Sequence, residues 1–93
     1  MLFVLIGIDK PNSLDLRLAN REAHIKYWAD SGRVKMGGPF ASDDGSVMDG
    51  SLLAVEVENR EAAETLFAND PYNLAGLFER SEVRAWKWTL GAK

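Results

Sequence analysis

The chain has 93 residues, 46% of them hydrophobic, 27% charged and 10% aromatic, with a formal net charge of −3. This is the composition of a folded globule, expected as one domain over residues 1–93, and not of a disordered chain. The negative balance leaves no basic field to attract nucleic acid, and the absence of cysteine removes disulfides, thiolate metal sites and a cysteine nucleophile.

The opening "MLFVLIGI" meets Asp9 and Lys10 at its end. It is too short to cross a bilayer. It also lacks a basic leader and a small-residue cleavage site, so it reads as a first strand over Phe3 to Ile8. No membrane partner is expected, and a cytoplasmic location fits a chain without cysteine. The turn-forming "DKPNS" follows. Leu14 to Asn20 is open between loop and loose helix. From Arg21 the helical pattern is firmer: Ile25, Trp28, Ala29 and Gly32 share one side, and Glu22, Lys26 and Asp30 the other. Gly32 closes the helix.

"RVKMGGPFAS" reads as a second strand that Gly-Gly-Pro bends or places at an edge. "DDGSVMDG" reads as a solvated hairpin connection, and "SLLAVEVE" as a third strand. Asn59 is suited to cap a helix in which Ala62, Ala63, Leu66 and Phe67 recur at helical spacing. A short helical turn, "PYNLAGLF", and a last strand, "SEVRAWKWTL", complete the chain. The order β-α-β-β-α-β implies an α+β, ferredoxin-like domain: a four-stranded antiparallel sheet with two helices on one face.

Strands one and three are apolar on both faces, whereas a sheet with one solvated face alternates. Two helices cover only one face, so a second copy is expected against the other, giving a homodimer. Trp86 and Trp88 share a face of the last strand and are expected in the core or that interface rather than as a base-stacking platform.

His24 is the only histidine. Imidazole has its unperturbed pKa nearest neutrality, so His24 is either an acid/base group at a cleft rim or a ring packed on Trp28. Asp70 could orient that imidazole, and Asp-Pro is also a helix cap with proline at the first helical position. Both roles can coexist, because a carboxylate has two oxygens. Arg17 and Arg21 could hold an anionic substrate group or pair at the surface with Asp15 and Glu22, and base rates favour the surface. Pro39 and Phe40 could form a pocket wall. Asp9 could face a cleft or cap a turn. "GGPF" lacks the lysine of a phosphate loop, and "DDGSVMD" departs from a calcium loop. One histidine without cysteine makes a zinc site improbable, and no metal or cofactor is expected.

Taken in order, "R…R.AH" on the first helix, "GGPF", "GSLLAVEVE", "ANDPYNLAGLFE" and "EVRAWKW" resemble the YCII-related (YciI-like) family over nearly the whole chain. The resemblance implies a dimeric α+β barrel of ferredoxin-like subunits and an active site built on a His-Asp pair. His24 matches the family histidine and Asp70 the aspartate, while Pro39 and Ser51 match positions lining the cleft. Glu22 departs from the proline that some relatives carry there, which affects helix entry more than chemistry. The family includes a dehydrochlorinase acting on a chlorinated hydroxyquinol. The resemblance therefore implies a cofactor-independent enzyme that moves a proton, by isomerisation or elimination, on a small cyclic or aromatic compound. A small-molecule binding or sensing module and a structural dimer without catalysis are the alternatives. Whether Asp70 or Asp9 partners His24 is open at this point.

Overall fold

The computed structural model describes residues 1–91. Its elements are β1 (Leu2–Asp9), α1 (Leu14–Ser31), β2 (Val34–Ala41), β3 (Met48–Glu56), α2 (Arg60–Ala68), α3 (Pro71–Leu74) and β4 (Phe78–Trp86). The four strands form one antiparallel sheet in the order β2-β3-β1-β4. This is the expected ferredoxin-like arrangement, with β1 and β3 in the centre.

Several boundaries differ from the sequence expectation: β3 starts at Met48, inside the stretch read as a hairpin connection, and α3 ends at Leu74 and not at Phe78. The first helix begins at Leu14, so the stretch left open between loop and loose helix is helical. Leu14, Leu16 and Leu18 recur every second residue, a strand-like period that masks a helix, and all three are exposed. The last strand runs from Phe78 to Trp86 instead of starting at Ser81. Its pairing with β1 includes Asp9↔Phe78 beyond a register shift at Ile8/Asp9, so the polar "ERSE" run is carried in the ladder by backbone bonds.

The core lies between the sheet and the helices. Phe3, Leu5, Leu53, Val55 and Val57 meet Trp28 of α1 and Ala63 and Phe67 of α2. Asn59 caps α2 as expected, its side chain accepting from Ala62 N. Gly32 ends α1 in the left-handed conformation. The expected packed stripe on α1 is only partly realised. Trp28 is buried, but Ile25 is 53% exposed and Ala29 is exposed. The inward side of α1 is Arg17, His24 and Trp28: Trp28 reaches the core, while Arg17 and His24 face a cleft with polar partners.

Along β1, Phe3, Leu5, Gly7 and Asp9 are buried under the helices, while Leu2, Val4, Ile6 and Ile8 are half-buried on the other face. On β3 the same face continues through Leu52, half-buried and paired with Ile6, and Ala54, fully buried and paired with Val4. On β4, however, the residues opposite Val4, Ile6 and Ile8 are Arg84, Glu82 and Arg80. The uncovered face thus has an apolar centre and a charged border. Trp86 and Trp88 stack at 5.7 Å outside the core cluster, so the core reading of this pair is set aside. Among the described residues, no helix is long and apolar enough to cross a membrane.

A candidate active site between the first helix and the sheet edge

Three parts of the chain meet at one cleft: the inward side of α1, the start of α3, and the middle of β2 and β3. Asp70 is placed by local chemistry. It is the N-cap of α3, with Pro71 behind it, and its Oδ1 accepts from Tyr72 N at 2.9 Å. The same carboxylate is fully buried and takes two side-chain donors from α1. Trp28 Nε1 donates to Oδ2 at 2.9 Å. His24 Nδ1 lies 2.8 Å from Oδ1 and 3.0 Å from Oδ2. Residues 24 and 28 are one turn apart, so both reach the same acceptor. Cap and histidine partner coexist on one carboxylate, and the aspartate bonded to His24 is Asp70 and not Asp9.

This geometry sets the imidazole. An ionised carboxylate only accepts, so Nδ1 carries the proton and the neutral ring leaves a lone pair on Nε2. Among the described residues Nε2 has no protein partner, yet no buried side-chain N or O atom lacks one. Nε2 is therefore open to the cleft.

Asp9 serves a different cation. Arg17 Nε donates to its Oδ2 at 2.7 Å and Nη2 to its Oδ1 at 3.0 Å. Arg17 is 3% exposed, so the surface pairing with Asp15 or Glu22 expected for it is corrected. Helix α1 starts early enough to bury residue 17 against the end of β1. Nη2 also donates to Ser51 Oγ at 2.9 Å. Burial opposes the guanidinium charge, but the hydrogen bonds and charge of Asp9 outweigh it, and the Arg17 pKa is raised.

Tyr72 links the two pairs. Its ring stacks on His24 at 3.9 Å between centroids with a 17° interplanar angle. The Arg17 guanidinium carbon lies 4.6 Å from the same ring centroid. Burial pushes the Tyr72 phenol up against the opposing pull of Arg17, so the hydroxyl stays protonated at neutral pH. Tyr72 is absent from the sequence reading of the site. The available signal was "DPY": an Asp-Pro cap places the next residue in the first helical turn beside the capping carboxylate.

A cavity of about 470 Å³ opens on this constellation, lined by Arg17, Arg21, His24, Ser51 and Tyr72, with Trp28, Leu53 and Pro39 among its apolar walls. It falls in the size range of small-molecule sites. Arg21 is exposed at its edge and has no ion pair among the described residues. Pro39 is an exposed wall residue on β2. Phe40 is not in the wall; its ring lies over the position of Gly50 instead. Among the described residues, no group of three histidine, aspartate or glutamate side chains could hold a metal ion.

Comparison with known proteins agrees over nearly the full length. The chain is 36% identical over 95 aligned positions to Protein YciI of Escherichia coli O6:H1, covering 94% of this chain and 97% of the relative. It is 35% identical, at the same coverage, to an uncharacterized protein of Haemophilus influenzae. Among solved structures it is similar to the 5-chloro-2-hydroxyhydroquinone dehydrochlorinase TftG of Burkholderia phenoliruptrix AC1100, in complex with 2,5-dihydroxybenzoquinone. That match has a TM-score of 0.85 and 35% identity, and covers 94% of each chain. An antibiotic biosynthesis monooxygenase, at 13% identity and a TM-score of 0.60, shares the fold alone. The YCII-related domain model matches residues 1–87, and the chain belongs to that family.

Proposed function

We propose that the protein is a cofactor-independent enzyme that transfers a proton on a small cyclic or aromatic compound. His24 is the general acid/base and Asp70 the carboxylate that orients it. The observation carrying this reading is the His24–Asp70 contact at the wall of the cavity, with Nε2 left open. The 35% identical dehydrochlorinase supports an elimination of the same kind.

The chemistry follows from the tautomer. Nε2 accepts a proton from a substrate carbon or hydroxyl. The electron pair released moves onto a conjugated oxygen as an enolate or phenolate. It returns either to a second carbon, which takes the proton back from the imidazolium, or to expel chloride, for a net loss of HCl. Asp70 stabilises the imidazolium in between and needs no proton of its own. Among the described residues no hydroxyl hydrogen-bonds His24 to complete an acyl-transfer triad, which is why proton transfer fits better.

Chloride release from chlorinated hydroxyquinols, followed with wild type, His24→Gln and His24→Ala, tests the reading. The variants are expected to lose roughly 10²–10⁴-fold in rate while keeping the wild-type circular dichroism. Wild-type rates in both variants, or no turnover by the wild type over a panel of quinols, lactones and halogenated phenols, would reject it. We also propose that the working unit is a homodimer closed over the uncovered sheet face, each copy being a single domain.

A further inference from the structure

Ser51 sits on β3 opposite Gly7 of β1 and Pro39 of β2. It is 4% exposed and lines the same cavity as His24. Its Oγ accepts from Arg17 Nη2, and Arg17 is held in turn by the two bonds to Asp9. A hydroxyl has one proton to donate and two lone pairs. With a cation donating to Oγ, the hydroxyl proton turns away from Arg17, and among the described residues it has no acceptor. A guanidinium bond onto the oxygen also polarises the O–H and strengthens it as a donor. Arg17 is otherwise committed: Asp9 compensates its charge in a fixed fork, so it is poorly placed to capture a substrate anion by itself.

We infer that Ser51 is the donor that receives a substrate oxygen, and that Arg17, anchored by Asp9, is the positioning residue that aims and polarises its hydroxyl. The inference rests on the reading of His24 as the base and gives that reading its second half. The substrate class is then a ring bearing a carbonyl or phenolic oxygen conjugated to the carbon that loses its proton. In the transfer, the C–H bond breaks, the proton goes to Nε2 and the electron pair moves onto the oxygen. Ser51 hydrogen-bonds that oxygen as its charge grows and keeps its own proton. Ser51, Arg17, Tyr72 and His24 form one continuous run of contacts, so donor and base belong to the same wall.

The test is calorimetric binding of 2,5-dihydroxybenzoquinone to the full chain as wild type, Ser51→Ala, Ser51→Thr, Arg17→Lys and Arg17→Lys/Ser51→Ala, each checked for folding by circular dichroism. Losing one hydrogen bond to the probe is expected to weaken Ser51→Ala on the order of three- to tenfold. Ser51→Thr, which keeps the hydroxyl, is expected to restore binding. Lysine keeps a charge for Asp9 but not the fork, so Arg17→Lys is expected to weaken binding comparably. The double variant is expected to be no weaker than Ser51→Ala alone to within about twofold, a non-additivity that a merely structural arginine does not produce. Wild-type affinity in Ser51→Ala, or a wild type that does not bind the probe, overturns the assignment of Ser51. Additive losses in the double variant overturn the role of Arg17. If His24→Gln keeps turnover while Ser51→Ala still weakens the probe, the base assignment fails and the oxygen donor stands.

Discussion

Asp70 is the residue on which the cleft depends. It is 0% exposed and accepts from the Tyr72 backbone, the Trp28 indole and the His24 ring at once. Asp70→Asn keeps the shape but replaces one acceptor oxygen by an NH₂ that must face a donor. Loss of a charge-assisted bond in a buried site is expected to cost about 1.5–3 kcal/mol in urea denaturation. The amide can also donate to Nδ1, which moves the imidazole proton to Nε2 and removes the open base. Nitrogen NMR of the single histidine reads this directly. An unchanged Nδ1–H tautomer together with wild-type stability would detach Asp70 from His24.

At the scale of elements, the strands are brought together by glycine where a side chain has no room. A Cβ built on Gly50 would sit 2.7 Å from the carbonyl oxygen of Gly7 on β1 and 2.8 Å from the Phe40 ring on β2. The carbonyl is backbone and cannot turn away, so Gly50→Ala is expected to push β3 off its neighbours beside Ser51. A cost of roughly 1–3 kcal/mol, seen as a lower urea midpoint, is the expected outcome. The β2–β3 connection is held differently. Asp44 accepts from the Ser46 backbone and hydroxyl and from the Ser42 hydroxyl. The Ser46 backbone bond comes first among the causes that lower its pKa to about 2. A folded pKa below the ordinary aspartate value near 3.9 means the turn is supported above that value and loses the support as pH falls through about 2. Amide exchange at Ser46 and Val47 is expected to quicken over that window, and Asp44→Asn to remove the pH dependence.

At the scale of the whole molecule, the uncovered sheet face is the feature a lone chain does not explain. Leu2, Val4, Ile6, Ile8 and Leu52 are half-buried and, among the described residues, have no helix above them; they are bordered by Arg80, Glu82 and Arg84. An apolar centre with a charged rim is the anatomy of a protein interface. Sedimentation is expected to give twice the 10.3 kDa chain mass. Ile6→Lys, which places a charge at the middle of that face, is expected to yield monomers at micromolar concentration. A wild type that sediments as a monomer would leave the face to another partner.

The local chain determined most of the elements and their order. Asn59, Gly32 and Asp-Pro mark helix ends by short-range hydrogen bonding and backbone preference, and runs such as "FVLIGI" leave little choice but strand. The apolar centre of both faces of β1 was legible for the same reason, and so was the family. Helix α1 was half hidden, because alternating leucines imitate a strand and its inward side carries Arg17 and His24 beside Trp28. What only the tertiary structure decided is which charges meet. His24 and Asp70 are 46 positions apart, and Arg17 finds Asp9 and Ser51 from two different strands. Spacing carries no information about such contacts, since they depend on where α1 crosses the sheet edge and on the Asp70 cap being turned toward it. Tyr72 joins the site for that reason alone: its backbone is placed by the cap, but its ring acquires a role only when packing brings His24 and Arg17 against it.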